Sequence, residues 1–111
     1  MKRINSLDRL NTTPRPMDNR EVNWQFLWAY LDSVDADNET INFALGLQLE
    51  EIPIIVDECR KYGFDHITLS FYAYDMLAIL WRFEELGCSI GGMQLTNTRT
   101  NPATPALVIR L

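Results

Sequence analysis

EEIPIIVDECRKYGFDHITLSF, residues 50–71, carries a helix, a stop and a strand in one uninterrupted run. Ile52, Ile55, Val56, Cys59 and Tyr62 recur at helical spacing on one narrow face, with Asp57, Glu58, Arg60 and Lys61 away from it. Pro53 is acceptable in the first turn, where the lost N–H had no intrahelical acceptor. Gly63 followed by Phe64 fits an αL stop with a hydrophobic residue folding back. From His66 the period changes to two: Ile67, Leu69 and Phe71 point inward, His66, Thr68 and Ser70 outward. The spacing predicts a helix over residues 50–62 and a strand over 66–71.

The same unit recurs downstream. Met76, Ile79, Leu80 and Phe83 form the core stripe of a helix over residues 75–86, with Leu77 and Trp81 as a second stripe to one side. Gly87 and Cys88 repeat the stop. A third strand over 89–96 follows, with Gly91-Gly92 marking a bulge or a close backbone approach. A polar loop over 97–104 leads to a final strand over 106–111, closing a β-hairpin. Two successive helix–stop–strand units imply parallel crossovers.

Upstream, an acidic turn over 35–38 precedes a short strand over 40–45, with Ile41, Phe43 and Leu45 on one face. Before that, Asp18 and Glu21 read as a capping-box start to a helix running to residue 34. That helix has two apolar stripes: Trp24, Leu27, Trp28 and Leu31, and opposite them Val22, Phe26, Ala29 and Tyr30. A helix lying on a small core needs one. It is either deeply buried or turns its tryptophans to a partner.

The order α-β-α-β-α-β-β gives an α/β (α+β) fold: a four-stranded mixed sheet with helices on one face and a C-terminal β-hairpin. The opposite face would show Asn42, Ala44, His66, Thr68, Ser70, Thr96, Val108 and Arg110 to water or a partner. Residues 1–16, with Pro14 and Pro16, read as a flexible basic arm, and 17–111 as a single α/β domain.

Composition bounds the rest. The chain has 111 residues, 47% of them apolar and 23% charged, enough for one core. No apolar run approaches a membrane span, the start lacks a signal-peptide stretch, and two cysteines are too few for a disulfide scaffold. A cytoplasmic protein is expected. The net charge of −5 is unevenly spread. Residues 1–20 carry five basic groups against Asp8 and Asp18, and the remainder carries five against thirteen acidic ones. No basic side chain lies between Arg20 and Arg60. Such a body repels phosphate and suits a basic partner, or imitates nucleic acid toward a basic channel.

Reactive constellations are sparse. His66 stands alone beside Asp65, with no C-x-x-C or H-x-x-x-H spacing, so no metal is expected. Cys59 lies on an apolar stripe and Cys88 takes the place of Phe64 in the repeated stop; both read as inert core thiols. Gly91-Gly92 is no phosphate loop, and no cofactor is expected. The pairs Glu50-Glu51 and Glu84-Glu85 diverge around their helices and do not face one reacting atom.

INF at residues 41–43, EIPIIVDECRKYGFDHITLS at 51–70, FEELGCSIGGM at 83–93 and PALVIRL at 105–111 carry a resemblance to an uncharacterised family of small proteins from Firmicutes phages and mobile elements. It spans residues 41–111 and leaves out the arm and the first helix. The resemblance implies a genomic setting, not catalytic residues; small accessory proteins of such elements often bind and block host machinery, CRISPR effectors included.

The expected function is therefore non-enzymatic protein binding, as an accessory protein inhibiting a host-defence nuclease. Trp24, Trp28 and Tyr30, with Asp32, Asp35, Asp37, Glu39, Glu50 and Glu51, are the expected contact residues. Two alternatives stand beside it: a self-associating module that forms a homodimer through helix one, and a small enzyme with a site around Asp65 and His66.

Overall fold

A computed structural model describes residues 23–98 and 100–111. The expected arm over 1–16 and the capping pair Asp18 and Glu21 lie outside them. The first described helix, α1 (Trp24–Asp35), starts at Asn23. Asn23 has extended backbone (φ −64°, ψ 131°), and its Oδ1 accepts from the N–H groups of Gln25 at 2.8 Å and Phe26 at 3.1 Å. The cap is thus an asparagine inside the expected helix, because Asn satisfies the first-turn donors as well as Asp does.

The remaining elements follow the expected order. They are β1 (Asn42–Phe43), a 3₁₀ turn (Leu49–Glu51), α2 (Ile52–Lys61), β2 (His66–Leu69), α3 (Met76–Glu85), β3 (Ser89–Thr96) and β4 (Thr104–Arg110). Both glycine stops form as read. Gly63 (φ 82°) and Gly87 (φ 88°) are left-handed, and the N–H of the next residue returns to the last turn: Phe64 to Cys59 O at 3.0 Å, Cys88 to Phe83 O at 3.1 Å. Phe64 and Cys88 are buried, which anchors each stop in the core.

The four strands form one mixed sheet in the order β1-β2-β4-β3. β1 and β2 are parallel neighbours joined through α2, whereas β4 runs antiparallel between β2 and β3. The second crossover therefore joins two parallel strands that β4 separates. All three helices contribute to one buried cluster with Ile41, Phe43, Ile67, Leu69 and Ile109. Phe26, Ile52, Ile55, Ile79 and Phe83 are fully enclosed in it.

Two expectations about faces are corrected. β1 is two residues long, not six, and Leu45 is 90% exposed. Gly46 (φ 94°) turns the chain there, so that Leu47, not Leu45, enters the core. The second sheet face is not open either: Asn42, His66, Thr68, Thr96 and Val108 are buried, while Ala44 and Arg110 remain exposed. Burial there is possible because the polar groups satisfy one another. Thr68 Oγ1 donates to Asn42 Oδ1 at 2.8 Å, and Asn42 Nδ2 donates to Ser70 Oγ at 2.9 Å. Thr40 Oγ1 donates to the His66 carbonyl at 2.7 Å. Ser33 Oγ of α1 accepts the Asn42 backbone N–H at 2.8 Å, which occupies a donor on the short edge strand.

Gly91-Gly92 is a bulge. The β3–β4 register shifts between Ile90 and Met93, and Gly92 has φ 82°. A Cβ on either glycine would meet open space, so close approach is not the reason for them.

Candidate protein-binding surface

α1 divides cleanly into two faces. Phe26, Ala29, Tyr30 and Ser33 are buried, whereas Trp24 is 60% and Trp28 52% exposed. Leu27 and Leu31 are half-buried against the core. Deep burial of the whole helix is thus excluded: one face is core, and the tryptophans of the other are exposed. Tyr30 is the correction: at 1% exposure it belongs to the core and is not a contact residue. Its place three residues from Leu27 and four from Phe26 puts it on the inward side, where a phenol ring adds more to the interior than to a surface.

Trp24 and Trp28, one turn apart, form a wall of a concavity of about 550 Å³. Its other walls come from β1 and the residues that follow it (42–46), from Ser70, and from Asn97, Thr98, Thr100, Asn101 and Thr104 of the β3–β4 connection. That loop is held against the end of α1 by a pair of asparagines. The Asn97 N–H donates to Asn38 Oδ1 at 2.7 Å, and Asn38 Nδ2 donates back to the Asn97 carbonyl at 2.9 Å. The Asn97 side chain adds bonds to the Ala36 carbonyl at 3.0 Å and from the Ala103 N–H at 3.0 Å. The indole rings therefore share the concavity with amides and hydroxyls as well as with the apolar Phe43 and Leu45.

The acidic residues do not gather into one patch. Asp32 lines the concavity beside Trp28, and Asp32 and Asp35 border a shallow depression beside it. Asp37 sits in the turn after α1 with φ 63°. Glu39 accepts from Gln94 Nε2 at 3.4 Å, on the side of β3. Glu51 accepts from Asn23 Nδ2 at 2.6 Å and is committed to joining α1 and α2. Glu50 is exposed on the 3₁₀ turn. Only Asp32 and Asp35 stand with the tryptophans. Leu45, Asn38, Asn97, Thr98, Thr100 and Asn101 complete the surface and were not among the expected residues. The Asn97–Asn38 contact joins positions far apart in the chain, and no local pattern marks it.

The thiols are chemically quiet. Burial pushes the Cys59 thiol far up, with the Glu58 carboxylate and Cys88 adding to it. Burial also raises Cys88, against the lowering effect of the Arg60 guanidinium, whose Nη2 lies 3.8 Å from Cys88 Sγ. Arg60 also donates to the Leu86 carbonyl at 3.0 Å, tying α2 to the end of α3. His66 Nδ1 lies 2.7 Å from Asp65 Oδ1. Among the described residues no three His, Cys, Asp or Glu side chains are placed to hold a metal ion, and no helix is long and apolar enough to cross a membrane.

A family model described as Domain of unknown function (DUF7698) matches residues 25–104. The match takes in most of α1, which the resemblance read from the sequence left out. No curated protein and no solved structure matches the chain.

Proposed function

The chain belongs to the DUF7698 domain family, and we propose that it is a non-enzymatic protein-binding module whose contact surface is the Trp24–Trp28 face of α1. One observation carries the reading: two tryptophans stand more than half exposed on a helix whose opposite face is core. Large aromatic side chains left out of a small core are strong interface anchors, because burying them on binding removes much apolar surface from water. Asp32 and Asp35 beside them, in a chain of net charge −5, favour a partner with basic groups at the rim. The concavity between the indoles and the β3–β4 loop accommodates a side chain or short loop of that partner.

The resemblance to small proteins of phages and mobile elements extends this reading to a host target in the cytoplasm. A CRISPR-type nuclease, with its basic nucleic-acid channel, has the complementary surface, and the module would act as its inhibitor.

The test uses the full chain as bait in low and moderate salt, beside the double variant Trp24→Ala/Trp28→Ala. Capture should survive moderate salt, since indole burial is not screened, and should vanish in the double variant while its circular dichroism stays that of the parent. A folded double variant that still captures the same partner would remove the reading.

A further inference from the structure

We infer that the outer edge of β3 pairs with the β3 edge of a second copy of this chain, antiparallel and centred on Gln94. Among the described residues β3 has β4 as its one neighbour, so the other side of an eight-residue strand offers unpaired backbone groups. The bulge at Gly91-Gly92 interrupts that edge, and beyond it Met93–Thr96 pairs regularly with β4 in residues 104–107. Met93 and Leu95 are 67% and 65% exposed on the same side of the sheet. Exposed apolar residues on a long edge are what a pairing strand covers.

Two observations select a second copy as the occupant. The first is charge. β3 reads SIGGMQLT, with no ionisable side chain, in a chain of net charge −5. The strand itself offers no charge to an oppositely charged partner and none to repel a like-charged copy. The second is self-complementarity. A two-fold axis perpendicular to the sheet keeps like faces together, so a residue must oppose itself or one an even number of positions away. With Gln94 on the axis, Met93 lies opposite Leu95 of the second copy and Leu95 opposite Met93. Both apolar side chains then meet apolar partners on one face, and two amides meet on the other. Centring on Met93 places Leu95 opposite Gly91, and centring on Leu95 places Met93 opposite Asn97. Gln94 is the register that matches both.

One charge lies near the axis: Glu39, which accepts from Gln94 Nε2. Each copy brings one such carboxylate, so pairing should strengthen with salt, opposite to the behaviour expected of a basic partner at the acidic rim.

The full chain should sediment as a monomer–dimer mixture at about 100 µM, the range expected of a short strand interface. Leu95→Lys should be monomeric there with an unchanged circular dichroism spectrum. Register is read by cysteine cross-linking under mild oxidation. Gln94→Cys should form a disulfide-linked dimer on a non-reducing gel, since directly opposed antiparallel residues hold their Cβ atoms about 4.5–5.5 Å apart. Leu95→Cys should not, because its own copy is a diagonal neighbour. The parent chain, whose Cys59 and Cys88 are buried, should stay uncrosslinked. A monomer at every concentration, a dimer unaffected by Leu95→Lys, or stronger cross-linking through Leu95→Cys than through Gln94→Cys would each overturn the inference.

Discussion

The side-chain amide of Asn23 donates to Glu51 Oε2 at 2.6 Å while its Oδ1 caps α1, so one residue ties the start of α1 to the entry of α2. Asn23→Ala removes both functions and should cost about 1–2 kcal/mol, the usual range for a lost cap. Asn23→Ser keeps a cap acceptor but cannot reach Glu51, and should cost less than half of that. Urea denaturation of the two variants separates the cap from the tie.

The two faces of α1 should answer mutation differently. Phe26→Ala empties a fully enclosed site and should cost about 3–5 kcal/mol. Trp24→Ala and Trp28→Ala, on the exposed face, should each stay within about 1 kcal/mol of the parent, since surface positions contribute little. Comparable losses on both faces, measured by thermal unfolding, would mean that the tryptophans are structural.

Gly91 and Gly92 look alike in the sequence and differ in backbone. Gly92→Ala places a Cβ at φ 82° and should destabilise by about 1–2 kcal/mol although the space is open. Gly91→Ala meets neither strain nor a neighbour and should be near neutral. Equal effects of the two would contradict the bulge geometry.

Asn97 holds the β3–β4 loop through its side-chain bonds to Ala36 and Ala103. Asn97→Ala leaves the Ala103 N–H and the Ala36 carbonyl without that partner and should cost about 1–3 kcal/mol. Hydrogen exchange should accelerate at Ala103 and leave the β2–β4 ladder protected.

Alkali should weaken the fold through the thiols. Both are raised in the folded protein, so they ionise more readily unfolded. Their contribution is intact below the ordinary thiol range and declines as pH rises above about 8.5, by at most about 1.4 kcal/mol per pH unit for each thiol. Cys59→Ala should flatten the fall in urea midpoint between pH 8 and pH 10. The parent thiols should also resist a disulfide reagent until the chain unfolds.

Local hydrogen bonding made much of this fold legible. The stops at Gly63 and Gly87 and the core stripe of Ile52, Ile55, Val56 and Cys59 depend on neighbours within a turn, and the sequence shows such neighbours directly. What it hid depends on distance in the chain. Thr68 and Asn42 alternate with apolar residues and read as solvent-facing, yet they bond to each other and are buried. Leu45 reads as an inward strand residue until Gly46 turns the chain. Part of the surface was legible as surplus: Trp24 and Trp28 exceeded what one core needs. Tyr30 misled because spacing alone does not say which of two apolar stripes faces inward.

β4 is the last of these elements to leave the ribosome and the one that sits between β2 and β3. Until residues 104–110 emerge, among the described residues β3 has no partner strand and β2 has β1 alone, so this sheet cannot close before β4 is made. Folding of this domain is therefore an event that follows synthesis of β4 rather than one that keeps pace with synthesis. A nascent chain stalled before residue 104 should remain open to proteases, and release of that short segment should close the whole domain at once.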